Sequence, residues 1–357
     1  MRIAALVFAL FVSIAVPVSA ATERVGSIDG VAIIDRLTAD DLAGGVHRFW
    51  FRAGETALAQ SWLVPVIVVK GSRPGPKLLV TAGIHGDELN GIAVIHRLAA
   101  TDPAMIAGTL VMVPGLNTPG LTNSTREWTP NDSRASANLN REMPGSDGGR
   151  GVEDVAGRLW SRLLRPNATT AVDLHTQSRG TAYVMYAFAS TPRTRAMADL
   201  MAPDIIKLDP GEKGTVENEL TRDGVPAITL ELGRPEIFDA AMIGRATAGV
   251  TNLMRDLGMV AGRPVPKSPL TFTGNIQTAV RAPRAGFATL LTPLGTDVTQ
   301  GQVIAVMTDA FGRRTETIVA PVTGRISTSF TDPRRERGSM IVRIIHNSND
   351  PKCAMGC

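Results

Sequence analysis

Histidine is scarce in this chain, with five in 357 residues. Two of the five stand where an imidazole can do chemistry. His85 lies in Gly83-Ile84-His85-Gly86-Asp87-Glu88, directly after the apolar run 77–82. Glu88 follows it by three residues, close enough for an imidazole and a carboxylate to meet at one cation in a strand-to-helix turn. Gly83 and Gly86 permit the tight backbone that such a turn requires. His175 ends a second apolar run, in Asp173-Leu174-His175. Ligands of open α/β sheets collect at the carboxyl ends of the strands, so both histidines are expected on one rim. Two His and one Glu, with a fourth position left to solvent, form the donor set of a catalytic zinc. His85, Glu88 and His175 are therefore the expected ligands of one Zn2+ per chain. Asp173 or Asp87 would orient an imidazole from behind. An H-x-x-E pair also arises by chance, and a histidine can simply cap a turn. What separates the two readings is the second histidine at a second strand end. His47, His96 and His346 have no such setting and read as packing or surface residues.

A metal hydrolase also needs a proton shuttle. Ala227-Ile228-Thr229-Leu230-Glu231 places a carboxylate at the end of a third apolar run, where burying it without a partner is costly. A salt-bridged strand-end glutamate is the plain alternative. In the catalytic reading Glu231 takes a proton from water and passes it to the leaving nitrogen. Arg141, in Ala137-Asn138-Leu139-Asn140-Arg141, offers a planar fork that fits a substrate carboxylate, with Asn140 beside it. Arg126 is a candidate for the oxyanion that develops on the attacked carbonyl. Either arginine alone could equally be a solvated loop residue.

These groups need a scaffold that brings strand ends together. Residues 77–82, 109–113, 170–174 and 227–230 are short apolar runs, each bounded by polar or turn residues, and read as buried strands. Residues 89–100 and 152–164 carry helical periodicity. Strands apolar on both faces and alternating with helices predict an α/β layered sheet.

Composition sets the outer bounds. The chain is 44% hydrophobic, 4% aromatic and 20% charged, with net charge +4, which describes a globular protein and excludes disorder and a multi-span membrane protein. No basic run suggests nucleic acid. Met1-Arg2, the apolar run 3–16 and Val18-Ser19-Ala20 read as a secretory signal peptide over residues 1–20. An uncleaved anchor is the alternative, and no later stretch reaches the roughly 18 apolar residues of a spanning helix. The expectation is an exported protein, periplasmic or secreted, without stable membrane insertion of the mature chain. Cys353 and Cys357 are the two cysteines; an oxidising compartment allows a disulfide there, and a frayed tail would leave them free. Three prolines in 262–269 mark a stiff linker. The expected organisation is a catalytic domain over 21–265, a β-domain over 270–346 and a tail over 347–357. Within the β-domain, Ala282-Pro283-Arg284-Ala285-Gly286 and Ala320-Pro321-Val322-Thr323-Gly324 repeat an A-P-x-x-G pattern 38 residues apart, as two β-motifs folded against each other would.

The chain resembles the zinc carboxypeptidase superfamily, and within it the succinylglutamate desuccinylase/aspartoacylase branch. The resemblance spans about residues 50–345 and rests on His85-Gly86-Asp87-Glu88, Asn138-Leu139-Asn140-Arg141, Asp173-Leu174-His175-Thr176 and Glu231, in that order. It implies a mixed central sheet flanked by helices, plus a small all-β domain like the barrel-sandwich of lipoyl and biotinyl carriers. It implies the roles already given to His85, Glu88, His175, Glu231, Arg126, Arg141 and Asn140. The branch usually has Asp where Asn138 stands, and an aromatic residue after the arginine, where Glu142-Met143 stand; the expected consequence is an altered pocket wall. Arg179 would add a substrate contact or lie on a surface loop. The turn after Val306 has no lysine, so a covalent carrier role is not expected; the β-domain would shield the site mouth or select substrates.

The reading is thus an exported zinc-dependent hydrolase that cleaves an amide bond of a small carboxylate-bearing substrate, of the N-acyl amino acid deacylase type. The alternatives are a metallocarboxypeptidase or amidase acting on short or cell-wall peptides, and a binding protein that keeps the metal without catalysis.

Overall fold

The structure, a computed structural model, describes residues 21–56, 58–128, 137–265 and 268–357; the signal-peptide reading of residues 1–20 lies outside them. Among the described residues twenty strands follow in chain order. They are β1 Glu23–Ile28, β2 Val31–Arg36, β3 Gly45–Glu55, β4 Ser61–Lys70, β5 Arg73–Ala82, β6 Ala107–Val113, β7 Thr170–His175, β8 Thr181–Tyr183, β9 Met185–Ala189 and β10 Ile205–Leu208. The rest are β11 Ala227–Leu232, β12 Phe272–Gly274, β13 Ile276–Arg281, β14 Gly286–Leu290, β15 Asp297–Val298, β16 Val303–Thr308, β17 Arg314–Val319, β18 Gly324–Phe330, β19 Arg334–Arg335 and β20 Met340–His346. The helices are α1 Asn90–Leu98, α2 Thr118–Asn123, α3 Val152–Leu159, α4 Pro192–Leu200, α5 Val216–Arg222 and α6 Ala240–Asp256.

Eleven strands make one mixed sheet in the order β1-β2-β3-β4-β6-β5-β7-β11-β9-β10-β12. Its centre, β6-β5-β7-β11, is parallel. Side chains alternate across a strand, and here both faces meet a core. Leu79 and Val111 join α3 and α5 on one side. Leu78, Val80 and Leu110 join α1, α4 and α6 on the other. The uninterrupted apolar runs follow from burial on both faces. The helix expected over 152–164 is shorter than its periodicity predicts: α3 is α-helical over Val152–Leu159 and continues as a π-type turn over Trp160–Leu164.

The remaining strands form two facing antiparallel sheets around a third core. The A-P-x-x-G repeat explains their relation. Gly286 opens β14 in the four-stranded sheet and Gly324 opens β18 in the five-stranded sheet, while Ala282 and Ala320 are both buried between them. The expected boundary at residue 270 is not clean. β12 closes the edge of the large sheet, and β8 leaves the catalytic region to pair with β18. Tyr183, Tyr186, Ile205 and Ile345 form a small shared core across this junction. The tail is docked: Cys353 is buried and bonded to Cys357, and Cys357 N–H donates to the Asn275 carbonyl at 2.9 Å.

The turn after β5 shows why glycine stands at both of its positions. Gly83 has φ +66°, and a Cβ on Gly86 would lie 1.9 Å from the carbonyl carbon of Gly120. Gly86→Ala should therefore displace the His85 loop and destabilise the fold by about 1–3 kcal/mol, read as a lowered midpoint in thermal unfolding.

Candidate active site

Three parallel strands deliver the chemistry at their carboxyl ends. β5 leads into the loop carrying His85 and Glu88, β7 ends on His175, and β11 carries Glu231. The register pairs Glu231 with His175 and Thr81 with Asp173. α1 begins at Asn90, so Glu88 precedes its first turn and belongs to the site rather than to the helix; Asp87, expected as a possible support for an imidazole, instead accepts from Ser178 Oγ and the Arg179 amide.

His85, Glu88 and His175 are all buried, and one donor atom of each lies within 4.8 Å of the others. Nδ1 of His85 is 2.9 Å from Oε1 of Glu88, and Nδ1 of His175 is 3.0 Å from Oε2. The opposite ring nitrogens are both engaged from behind. Nε2 of His175 lies 2.8 Å from Oδ2 of Asp173, whose other oxygen accepts from Thr81 at 2.6 Å. Nε2 of His85 lies 3.2 Å from Oδ1 of Asn138. With both Nε2–H groups donating outward, both Nδ1 lone pairs face the carboxylate. Nδ1 of His85 has no hydrogen-bond partner. Buried lone pairs turned on one another are stable only around a positive charge, so these residues fit a divalent cation held by two Nδ1 atoms and Glu88.

The electrostatics agree. Burial would push the His175 imidazole down, yet Asp173 and Glu88 outweigh it and raise its pKa well above the ordinary range. Burial would raise Glu88, yet the two imidazoles pull its carboxyl well below the usual value. His85, buried and backed by a neutral amide, is lowered. Asp173→Asn removes the carboxylate behind His175 and should weaken metal affinity about 10–100-fold, measured by competition with a chromogenic chelator.

Glu231 is buried and its Oε2 has no hydrogen-bond partner. Burial holds its carboxyl well above the usual carboxylate range, with Glu88 adding to the shift and His175 and Arg126 opposing it. Arg126 Nη1 donates to Oε1 of Glu88 at 3.0 Å and to Ser178 Oγ at 2.5 Å. It is thus tied to the same carboxylate that faces the histidines.

These groups open into a cavity of about 390 Å³, large enough for a small metabolite and little more. Its lining includes His85, His175, Glu231, Arg126, Asn140 and Arg141. Arg141 pairs with Glu212 at 2.5 Å, and its Nη1 donates to the Asn140 carbonyl. Asn140 Oδ1 accepts from the Val216 amide at 3.0 Å, which fastens the Arg141 loop to α5. Arg179 stands apart: it is exposed, ion-paired with Glu236, and absent from the lining. Asn138 is also absent from it. The departure from Asp at that position bears on the imidazole of His85 rather than on the pocket wall.

Several lining residues were not anticipated from the sequence. Glu217 and Asn218 come from α5, Lys207 and Asp209 from the end of β10, and Gln277 and Arg343 from the β-domain. Arg343 left a trace, as a charge inside the apolar run Ile341-Val342-Arg343-Ile344-Ile345. Glu217 left none, because Val216-Glu217-Asn218-Glu219 reads as an ordinary solvated helix start.

The family model described as the succinylglutamate desuccinylase/aspartoacylase catalytic domain matches residues 74–257. The N-alpha-acetyl-L-2,4-diaminobutyric acid deacetylase of Halomonas elongata is 29% identical over 301 residues, 80% of this chain and 85% of that protein. The succinylglutamate desuccinylase of Paraburkholderia xenovorans is 26% identical over 243 residues, 63% of this chain and 68% of that protein. Among solved structures, a succinylglutamate desuccinylase/aspartoacylase from Rhodobacter sphaeroides superposes with TM-score 0.74 at 23% identity, covering 86% of this chain and 97% of that one. The product-bound ectoine utilization protein EutE (DoeB) from Ruegeria pomeroyi gives 0.75 at 23% identity, with the same coverage. The fold is shared with both.

Proposed function

Because the chain belongs to the succinylglutamate desuccinylase/aspartoacylase family, we propose that it is an exported zinc-dependent deacylase that hydrolyses the amide bond of a small N-acyl amino acid. The observation that carries this reading is the convergence of His85, Glu88 and His175 at a cavity whose lining includes His85, His175 and Glu231, a buried glutamate with one oxygen without a hydrogen-bond partner. His85, Glu88 and His175 would hold the ion. When bound, zinc would supply Lewis-acid polarisation of a carbonyl and lower the pKa of water to about 7.

The protein's own groups divide the remaining work. Glu231 accepts the proton of the attacking water and returns it to the departing amine. Arg126, anchored on Glu88 and Ser178, presents positive charge to the oxygen of the attacked carbonyl. Asp173 and Asn138 fix the two imidazoles. A carboxylate on the substrate suits a cavity lined by Arg126, Arg141 and Arg343.

Support for a small acid over a peptide comes from the size of the cavity, about 390 Å³, whose lining includes Gln277 and Arg343 of the β-domain. Support for export comes from the Cys353–Cys357 bond, a pairing suited to an oxidising compartment, and from the signal-like residues 1–20. No helix among the described residues is long and apolar enough to cross a membrane. The test is hydrolysis by the zinc-loaded protein of a panel of N-acetyl and N-succinyl amino acids alongside short peptides. Turnover of acyl amino acids supports the proposal; cleavage of peptides alone would replace it with the peptidase reading.

A further inference from the structure

Three cations that line the cavity are each paired with a carboxylate: Arg126 with Glu88, Lys207 with Asp209, and Arg141 with Glu212. Exposure separates the three pairs. The side chains of Glu88 and Asp209 are 2% and 19% exposed, and losing the cation would strand a largely desolvated charge. Glu212 is 63% exposed and Arg141 35%. This carboxylate can part from its guanidinium and return to water at little cost.

The backbone enforces the meeting of Arg141 and Glu212. Glu212 lies in the loop 209–215 between β10 and α5. The Met143 amide donates to the Gly214 carbonyl at 3.1 Å, and a Cβ on Gly214 would lie 2.3 Å from the carbonyl oxygen of Arg141. Thr215 Oγ1 donates to the Glu212 carbonyl at 2.8 Å, which ties the loop to the start of α5. The loop is thus pressed against the Arg141 backbone and keeps a carboxylate within reach of the guanidinium. Nη2 of Arg141 donates to Oε2 of Glu212, while Nη1 donates to the Asn140 carbonyl. The fork that suits a substrate carboxylate already holds one from the chain itself.

We propose that Glu212 is an internal competitor for the substrate carboxylate, displaced from Arg141 into solvent when an acid binds. This rests on the deacylase reading, in which Arg141 meets that carboxylate, and adds to it a residue that sets affinity for acids. A tethered carboxylate competes at a high effective concentration, so an incoming acid gains only the difference between its own contact and that of Glu212. Exchanging one carboxylate for another leaves the number of ion pairs unchanged. Acid binding should therefore depend weakly on salt until Glu212 is neutralised.

The test is calorimetric binding of N-methanesulfonylglycine and of its carboxamide to the zinc-loaded protein; neither presents an N-acyl bond to be hydrolysed. Glu212→Gln should bind the acid about two- to fivefold more tightly than wild type, the worth of an exposed ion pair. It should bind the carboxamide equally and gain a steeper salt dependence for the acid. In the Arg141→Gln background the same substitution should bring no gain. Unchanged or weaker acid binding by Glu212→Gln would make the glutamate a support for Arg141 and overturn the proposal, as would a gain that persists without Arg141. If the Arg141-dependent gain is present but no acyl amino acid is hydrolysed, the competition stands and the deacylase reading fails.

Discussion

His175→Ala is expected to cost the protein its metal and all measurable amide hydrolysis. Of the three converging side chains, His175 has the strongest hold from behind, through Asp173 and Thr81. Losing an outer partner weakens metal affinity about 10–100-fold, and losing the ligand itself should exceed that. There is a second consequence. Glu88 Oε2 and Asp173 Oδ2 both lie within 3.0 Å of this ring, so the variant leaves two buried carboxylates facing an empty space. Breaking a buried ion pair from one side costs about 3–5 kcal/mol. The variant should therefore melt earlier as well as lose zinc, and metal content must be referred to the folded fraction measured by circular dichroism. Full zinc occupancy with unaltered melting would contradict the assignment.

Glu231→Gln is expected to behave in the opposite way on stability while being severe on rate. The substitution keeps the shape of the side chain and removes its capacity to shuttle a proton. General acid–base groups contribute about 10²–10⁴-fold, and kcat should fall by that amount with zinc retained at one per chain. Glu231 carries a buried, unpartnered oxygen, so the neutral amide should leave thermal stability equal or raised, a common trade between activity and stability at such sites. Steady-state kinetics and a melting curve on one preparation read both effects. A variant with wild-type kcat would remove Glu231 from the mechanism.

The sequence disclosed the parts of this site that are local. β5, β7 and β11 announce themselves as apolar runs because both their faces are buried, and a polar residue closing such a run, as His175 and Glu231 do, has a reason to be there. The His85–Glu88 turn is short enough that spacing and two glycines describe it. What the sequence does not carry is which distant segments wall the same space. Arg343 is 168 residues from His175 and sits on another sheet; the tertiary packing of the β-domain, with β8 paired to β18, brings it to the cavity. The placement of β12 was hidden for the same reason, since it is three residues long and its place at the edge of the large sheet is set by pairing with β10. Arg179 shows the converse. Proximity in sequence to a ligand suggested a role, yet the ion pair with Glu236 holds its side chain at the surface.

The most direct measurement is X-ray diffraction from zinc-loaded crystals collected on both sides of the zinc absorption edge. One anomalous peak per chain is expected, in contact with Nδ1 of His85, Nδ1 of His175 and the Glu88 carboxylate. A peak elsewhere, or none at these three residues while chelators leave hydrolysis intact, would contradict it.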